Sequence, residues 1–169
     1  MNSPIRLGCI GIDSSHLPEF TKRIKALNEA GATACKVTQF WTDGKHDWPS
    51  AADIEKWKTD TLAMGVTEAK SLDQMLSSVD GVLVLAVNGN RHMDLAMPSL
   101  ERGLLTYIDK PMTCNLEQSK AILSAARKSG ARAYSASSLR FITEIPKLDF
   151  EAIGNIVAID AYGAGELLT

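Results

Sequence analysis

The chain is poor in several things, and each shortage excludes something. Cysteine is scarce, with three residues, Cys9, Cys35 and Cys114, among 169. An odd count without metal-ligand spacing offers neither a disulfide framework nor a metal site, so reduced thiols packed in strands and loops are expected. Excess charge of either sign is missing too, the formal net charge being -2. Without a basic field, neither nucleic acid nor an anionic membrane is an expected partner. No apolar run approaches membrane-spanning length, and the stretch from Met1 to Arg6 lacks the apolar core of a signal peptide. The expected address is therefore cytoplasmic. There is no internal repeat and no low-complexity tract.

What is present is a hydrophobic fraction of 45%, enough at this length for one well-buried domain and little more. The apolar residues come in short runs separated by polar, helically spaced stretches. Residues 5–12 read as a first strand, apolar on both faces. A helix follows over 17–30, with Phe20, Ile24 and Leu27 on one face and Gly31 as its stop. A second strand over 35–41 leads through a polar loop into a helix over 51–64. A short strand is expected at 66–69, and Ser71 with Gln74 has the form of a capping box for a short helix. Residues 81–87 make the clearest buried strand. A helix over 92–102, with Pro98 as an expected kink, and a strand over 104–108 follow. Asn115 and Gln118 can cap a helix running to Ser129, and residues 131–135 give a sixth strand.

Strands alternating with helices imply parallel pairing through right-handed crossovers, an α/β, doubly wound, mainly parallel sheet of Rossmann-like type. After Ser135 the rhythm changes. Residues 137–149 read as a linker with a short helix, and Gly154 to Tyr162 as a lone strand. The expected division is a dinucleotide-binding domain over 1–136, then a linker and the first strand of a missing or truncated C-terminal α+β domain over 137–169. A lone strand cannot bury a face by itself, so pairing with a second copy of the chain is a possible use for it.

Doubly wound sheets bind ligands beyond the carboxyl ends of their strands, which singles out four loops. The first is Gly11-Ile12-Asp13-Ser14-Ser15-His16, at a helix start where free amides and the dipole suit a pyrophosphate. Only Gly11 fits the usual G-x-G-x-x-G. Asp13 would repel a pyrophosphate unless it turns away or caps the helix, and His16 either meets a phosphate or lies on the helix surface. The second loop carries Asp43, an acceptor for ribose hydroxyls or simply a turn residue before Gly44. In the third, Val87-Asn88-Gly89-Asn90-Arg91-His92, the backbone can approach a ring or ribose closely, His92 can face the crevice, and helix capping alone would explain the asparagines. The fourth is Asp109-Lys110-Pro111. Here a lysine beside a rigid proline presents its ammonium to the crevice, where it can polarise a carbonyl or bind a hydroxyl, with Asp109 pairing with it or orienting it.

Taken together, these loops resemble the N-terminal half of the Gfo/Idh/MocA oxidoreductases. That family has a glycine-rich loop after strand one, an Asn/His-containing loop after strand four and a Glu-Lys-Pro after strand five. The run Ser137-Ser138-Leu139-Arg140-Phe141 is similar to the family's Asn-x-Arg-Phe segment, and Gly154-Asn155-Ile156-Val157 to the strand opening its second domain. The resemblance implies NAD or NADP as cofactor and hydride exchange at a sugar, polyol or related hydroxyl. It makes Lys110 the catalytic candidate. Gly11, Ile12, Asp13, Ser14, Ser15, His16, Asp43, Val87, Asn88, His92, Asp109, Pro111 and Arg140 become the cofactor-binding candidates. Where this chain departs from the pattern, at Asp13 and His16, the alternative is a non-catalytic ligand-binding or scaffold domain that has lost the cofactor.

Overall fold

In the computed structural model, which describes residues 3–46 and 49–160, the apolar runs become strands and the helically spaced stretches cover them. The order is β1 (Ile5–Ile10), α1 (His16–Glu29), β2 (Cys35–Trp41), α2 (Ala51–Ala63), β3 (Thr67–Glu68), α3 (Leu72–Leu76), β4 (Gly81–Val84), α4 (His92–Glu101), β5 (Leu105–Ile108), α5 (Leu116–Ser129) and β6 (Ala133–Tyr134). All six strands are parallel, in the order β3-β2-β1-β4-β5-β6. The direction of winding reverses between β1 and β4, so the loops after those two strands open a crevice at the carboxyl edge.

Each helix start has a local cause. Ser50 caps α2 by accepting from the Asp53 amide at 3.1 Å, and Ser71 caps α3 from Gln74 at 3.2 Å. The Gln74 side chain reaches back to the Lys70 amide at 3.0 Å, one residue earlier than a standard capping box would place it. Asn115 caps α5 through two amides, and Gly130, with φ +75°, ends it. Helix α4 continues through Pro98 rather than stopping there.

The central strand β4 is buried along its whole length, and its side chains alternate between two cores. Val82 and Val84 join Ile10, Ile108, Leu100 and Ile122 on the side of α4 and α5. Leu83 and Leu85 join Cys9, Phe40 and Leu17 on the side of α1. Burial pushes the Cys9 thiol up to about 12, which leaves it an inert packing group. The carboxyl edge of the sheet is therefore carried on a rigid, doubly covered base.

The chain divides into two compact units, 1–137 and 138–169. In the second, two 3-10 turns (Ser138–Phe141 and Ile145–Lys147) precede a short helix, α6 (Phe150–Ile153), capped by Asp149. The strand expected from Gly154 is not formed over residues 154–160, with which none of the described residues pairs in a ladder. Tyr162, its expected end, lies outside the described residues. Among the described residues no helix is long and apolar enough to cross a membrane.

Candidate functional site

The loop after β1 turns on Gly11. Its φ is +96°, its amide donates to Trp41 O at 3.0 Å, and a Cβ added there would lie 2.7 Å from the Ala86 nitrogen. The loop can pass this close to the chain leaving β4 only because the residue has no side chain. Ile12 then points into the core, and Ser14 Oγ donates to Leu85 O at 3.1 Å. Ser15 precedes α1 without a side-chain cap.

Asp13 is 1% exposed, and it neither caps α1 nor faces outward. Its Oδ2 accepts from the Val87 amide at 3.3 Å and lies 3.9 Å from Arg91 Nη1, while Oδ1 is buried without a partner. The carboxylate is thus turned into the protein instead of capping α1. Arg91 also grips Asp43, with Nη2 at 2.7 Å from both carboxylate oxygens and Nη1 donating to Lys45 O at 2.8 Å. Burial raises the Asp43 carboxyl, but the hydrogen bonds from Arg91 and the Lys45 amide, with both cations, outweigh it and hold it below the usual range. Asp43, read as a ribose acceptor or as a turn residue, accepts from the Lys45 amide across the turn at 3.1 Å and is paired with an arginine. Arg91, which ties the three loops together, is the residue that the sequence reading did not single out. The one signal for it was a cation in the third loop opposite acids in the first and second.

His92 departs most from expectation. It does not face the crevice: it is 0% exposed, with Nδ1 2.8 Å from Pro111 O and Nε2 2.7 Å from Ala86 O. Both nitrogens are committed to holding the loop after β4 against the loop after β5, so the ring has no face left for a ligand. Asn88 accepts from the Asn90 amide at 3.0 Å and so starts the turn over Gly89–Arg91. Val87 is partly exposed beside it.

The loop after β5 is organised by Asp109. Its buried carboxylate does not pair with the Lys110 ammonium, as one expectation had it. Oδ2 binds His16 Nδ1, and Oδ1 accepts from the Lys110 amide at 2.8 Å and from Tyr107 Oη at 3.4 Å. Burial raises this carboxyl, yet His16, the Lys110 amide and the nearby cationic charge together hold it below the usual carboxylate range. Burial, followed by the Asp109 charge, pushes the Tyr107 hydroxyl up to about 12. Lys110 and Pro111 are exposed. Arg140 sits on the turn Ser138–Phe141 of the second unit, itself exposed. Among the described residues no group of three or more His, Cys, Asp or Glu gathers as a metal site would require.

The lowered Asp109 value makes a pH prediction. A carboxyl whose folded value lies below its unfolded one, about 4, stabilises the fold above that range and loses the contribution as pH falls through the folded value. In urea unfolding, the stability gap between wild type and Asp109→Asn should be full at pH 7 and shrink toward pH 3. A gap constant over that window would contradict this account.

Residues 5–137 match the family model GFO_IDH_MocA, described as an oxidoreductase family with an NAD-binding Rossmann fold. The chain belongs to the Gfo/Idh/MocA oxidoreductase family. Among curated relatives of this Gfo/Idh/MocA chain, inositol 2-dehydrogenase 4 of Saccharopolyspora erythraea is 28% identical over 134 residues, covering 78% of this chain and 35% of that protein. The chain thus spans about a third of that relative's length. Two solved structures share the fold. An NAD-binding protein from Listeria innocua aligns over 90% of this chain and 41% of its own, with TM-score 0.64 and 21% identity. The WlbA dehydrogenase of Bordetella pertussis, solved with NADH and UDP-GlcNAcA, aligns over 85% of this chain and 40% of its own, with TM-score 0.63 and 19% identity.

Proposed function

We propose that this chain is the nucleotide-binding half of an NAD(P)-dependent oxidoreductase that oxidises or reduces a sugar, polyol or related hydroxyl compound. The observation that carries this reading is the rotation of Asp13 into the protein. With its carboxylate turned onto Val87 and Arg91, the start of α1 keeps the amide and dipole character that suits a pyrophosphate. Gly11 brings the loop close, Arg91 ties the loops after β1 and β2 through Asp13 and Asp43, and Asp43 would receive ribose hydroxyls. A bound nicotinamide would supply the hydride acceptor or donor. Lys110, on a loop fixed by Asp109 and by the His92 bond to Pro111 O, presents a positive charge toward a substrate oxygen.

One observation favours the alternative, a binding or scaffold domain without cofactor. Arg91 and the Lys45 amide already occupy part of the acceptor capacity of Asp43, so ribose hydroxyls would have to share that carboxylate with them. A fluorescence or calorimetric titration with NADH and NADPH decides between them. Under the oxidoreductase reading at least one binds with Kd below about 1 mM, a free energy near -4 kcal/mol. If neither binds, the scaffold reading replaces it. Reduction of NAD or NADP, followed at 340 nm with myo-inositol and UDP-linked sugars as the first panel, then tests turnover.

A further inference from the structure

Arg91 stands on the loop after β4, yet its guanidinium lies among residues of the loops after β1 and β2. Nη2 meets both oxygens of Asp43 at 2.7 Å, and Nη1 donates to Lys45 O at 2.8 Å. Asp13 Oδ2 lies 3.9 Å from Nη1, so one cation answers two carboxylates and both of its terminal nitrogens face oxygen. Asp43 is fixed from its own side as well, since Oδ1 accepts the Lys45 amide at 3.1 Å across the turn at Gly44. The side chains of Arg91 and Asp43 are 18% and 24% exposed, which puts the pair at the rim of the crevice rather than beneath it.

This rim follows β2, where a doubly wound sheet receives the adenosine ribose. NAD and NADP differ at that ribose alone. NAD carries a 2′-hydroxyl, which can donate to a carboxylate. NADP carries a 2′-phosphate of about −1.5 to −2 charge at pH 7, which a carboxylate repels and a guanidinium holds. Here both kinds of group occupy one position and face each other, so what matters is which of them still has capacity. A carboxylate has about four acceptor positions. Arg91 and the Lys45 amide use three contacts, so Asp43 can still take a hydroxyl. Arg91 can receive a phosphate only if Asp43 lets go of it.

We propose that the Arg91–Asp43 pair selects NAD over NADP, with Asp43 both accepting from the ribose and masking a cation that would otherwise bind the 2′-phosphate. The inference rests on the oxidoreductase reading, in which the crevice takes a nicotinamide dinucleotide. Toward NAD, Arg91 is a positioning residue that holds Asp43 in place. Toward NADP it is a ligand kept covered. Removing the carboxylate should therefore invert the cofactor preference instead of only weakening binding.

Fluorescence titrations with NADH and NADPH on wild type, Asp43→Ser and Asp43→Ser/Arg91→Gln test this. They read the ratio of two dissociation constants, which a general loss of structure would not invert. Wild type should bind NADH about 10-fold tighter than NADPH, or more. Asp43→Ser should bind NADPH about 10-fold tighter than wild type does, and NADH more weakly. In the double variant the NADPH gain should disappear. If the double variant does not fold, salt puts the same question to Asp43→Ser. Its NADPH affinity should fall about 5-fold further than its NADH affinity between about 50 and 500 mM NaCl, because a phosphate contact at the rim is screened. Wild type binding both within about 3-fold or preferring NADPH would overturn the selection, as would an Asp43→Ser ratio within about 3-fold of wild type. So would an NADPH gain that survives the loss of Arg91, or a salt response equal for the two. Each of these leaves the oxidoreductase reading standing. If neither wild type nor Asp43→Ser binds either dinucleotide, that reading falls, and the selection with it.

Discussion

Gly11→Ala should lower the melting temperature by about 10 °C, one of the two largest effects expected of any single change in the loops. Two costs combine. The backbone there has φ +96°, a conformation that costs an alanine about 1–2 kcal/mol. The new Cβ would also sit 2.7 Å from the Ala86 nitrogen and 3.0 Å from its Cα, so the obstacle is backbone, not a side chain that can swing aside. Forcing the loops apart adds roughly 1–3 kcal/mol. For a domain of this size about 1 kcal/mol moves the midpoint by 2–4 °C. The separation also pulls Asp13 from Val87 and weakens the register of the crevice, so NADH affinity should fall with stability. A thermal scan that places Gly11→Ala within 2 °C of wild type would show that the loop relaxes freely, and the rigid approach argued here would be wrong.

What could be read from the sequence and what could not divides along a physical line. The Val82–Leu85 run, the Ser71 and Asn115 caps and the Gly130 stop are local: each depends on neighbours within about four residues, so pattern alone carries them. The order of strands and helices then leaves few topologies. The residues around the crevice obey another rule. Asp13 was visible as a carboxylate in a phosphate-type loop, but its rotation depends on Val87 and Arg91, more than seventy positions away. Asp109 was expected to serve Lys110, and it does so only through the backbone amide, while its side chain serves His16. The segment from Gly154 shows the same limit in reverse. Its apolar alternation fits a strand, but strand formation requires a ladder partner, and none is present over residues 154–160.

His92 is where this difference is most open to measurement, because its loop at the carboxyl end of β4 allowed it to face the crevice and the structure buries it. His92→Leu should destabilise the chain by about 3 kcal/mol. The leucine keeps most of the buried volume, so the loss falls on the ring's polar contacts. Ala86 O, 2.7 Å from Nε2, would be left buried without a partner, while Pro111 O, 2.8 Å from Nδ1 and on an exposed residue, would turn to water. An orphaned buried polar group costs roughly 1–3 kcal/mol. On the scale used for Gly11 the midpoint should drop by about 6–12 °C. A residue that contacted only ligand would behave in the opposite way, lowering NADH affinity while leaving the melting temperature nearly unchanged. The two measurements on one variant therefore separate a ring that binds from a ring that holds. The geometry, with both nitrogens committed and no exposed surface, requires the second: a large thermal shift, and a change in affinity only to the extent that the Lys110 loop moves when its tie to Pro111 is cut.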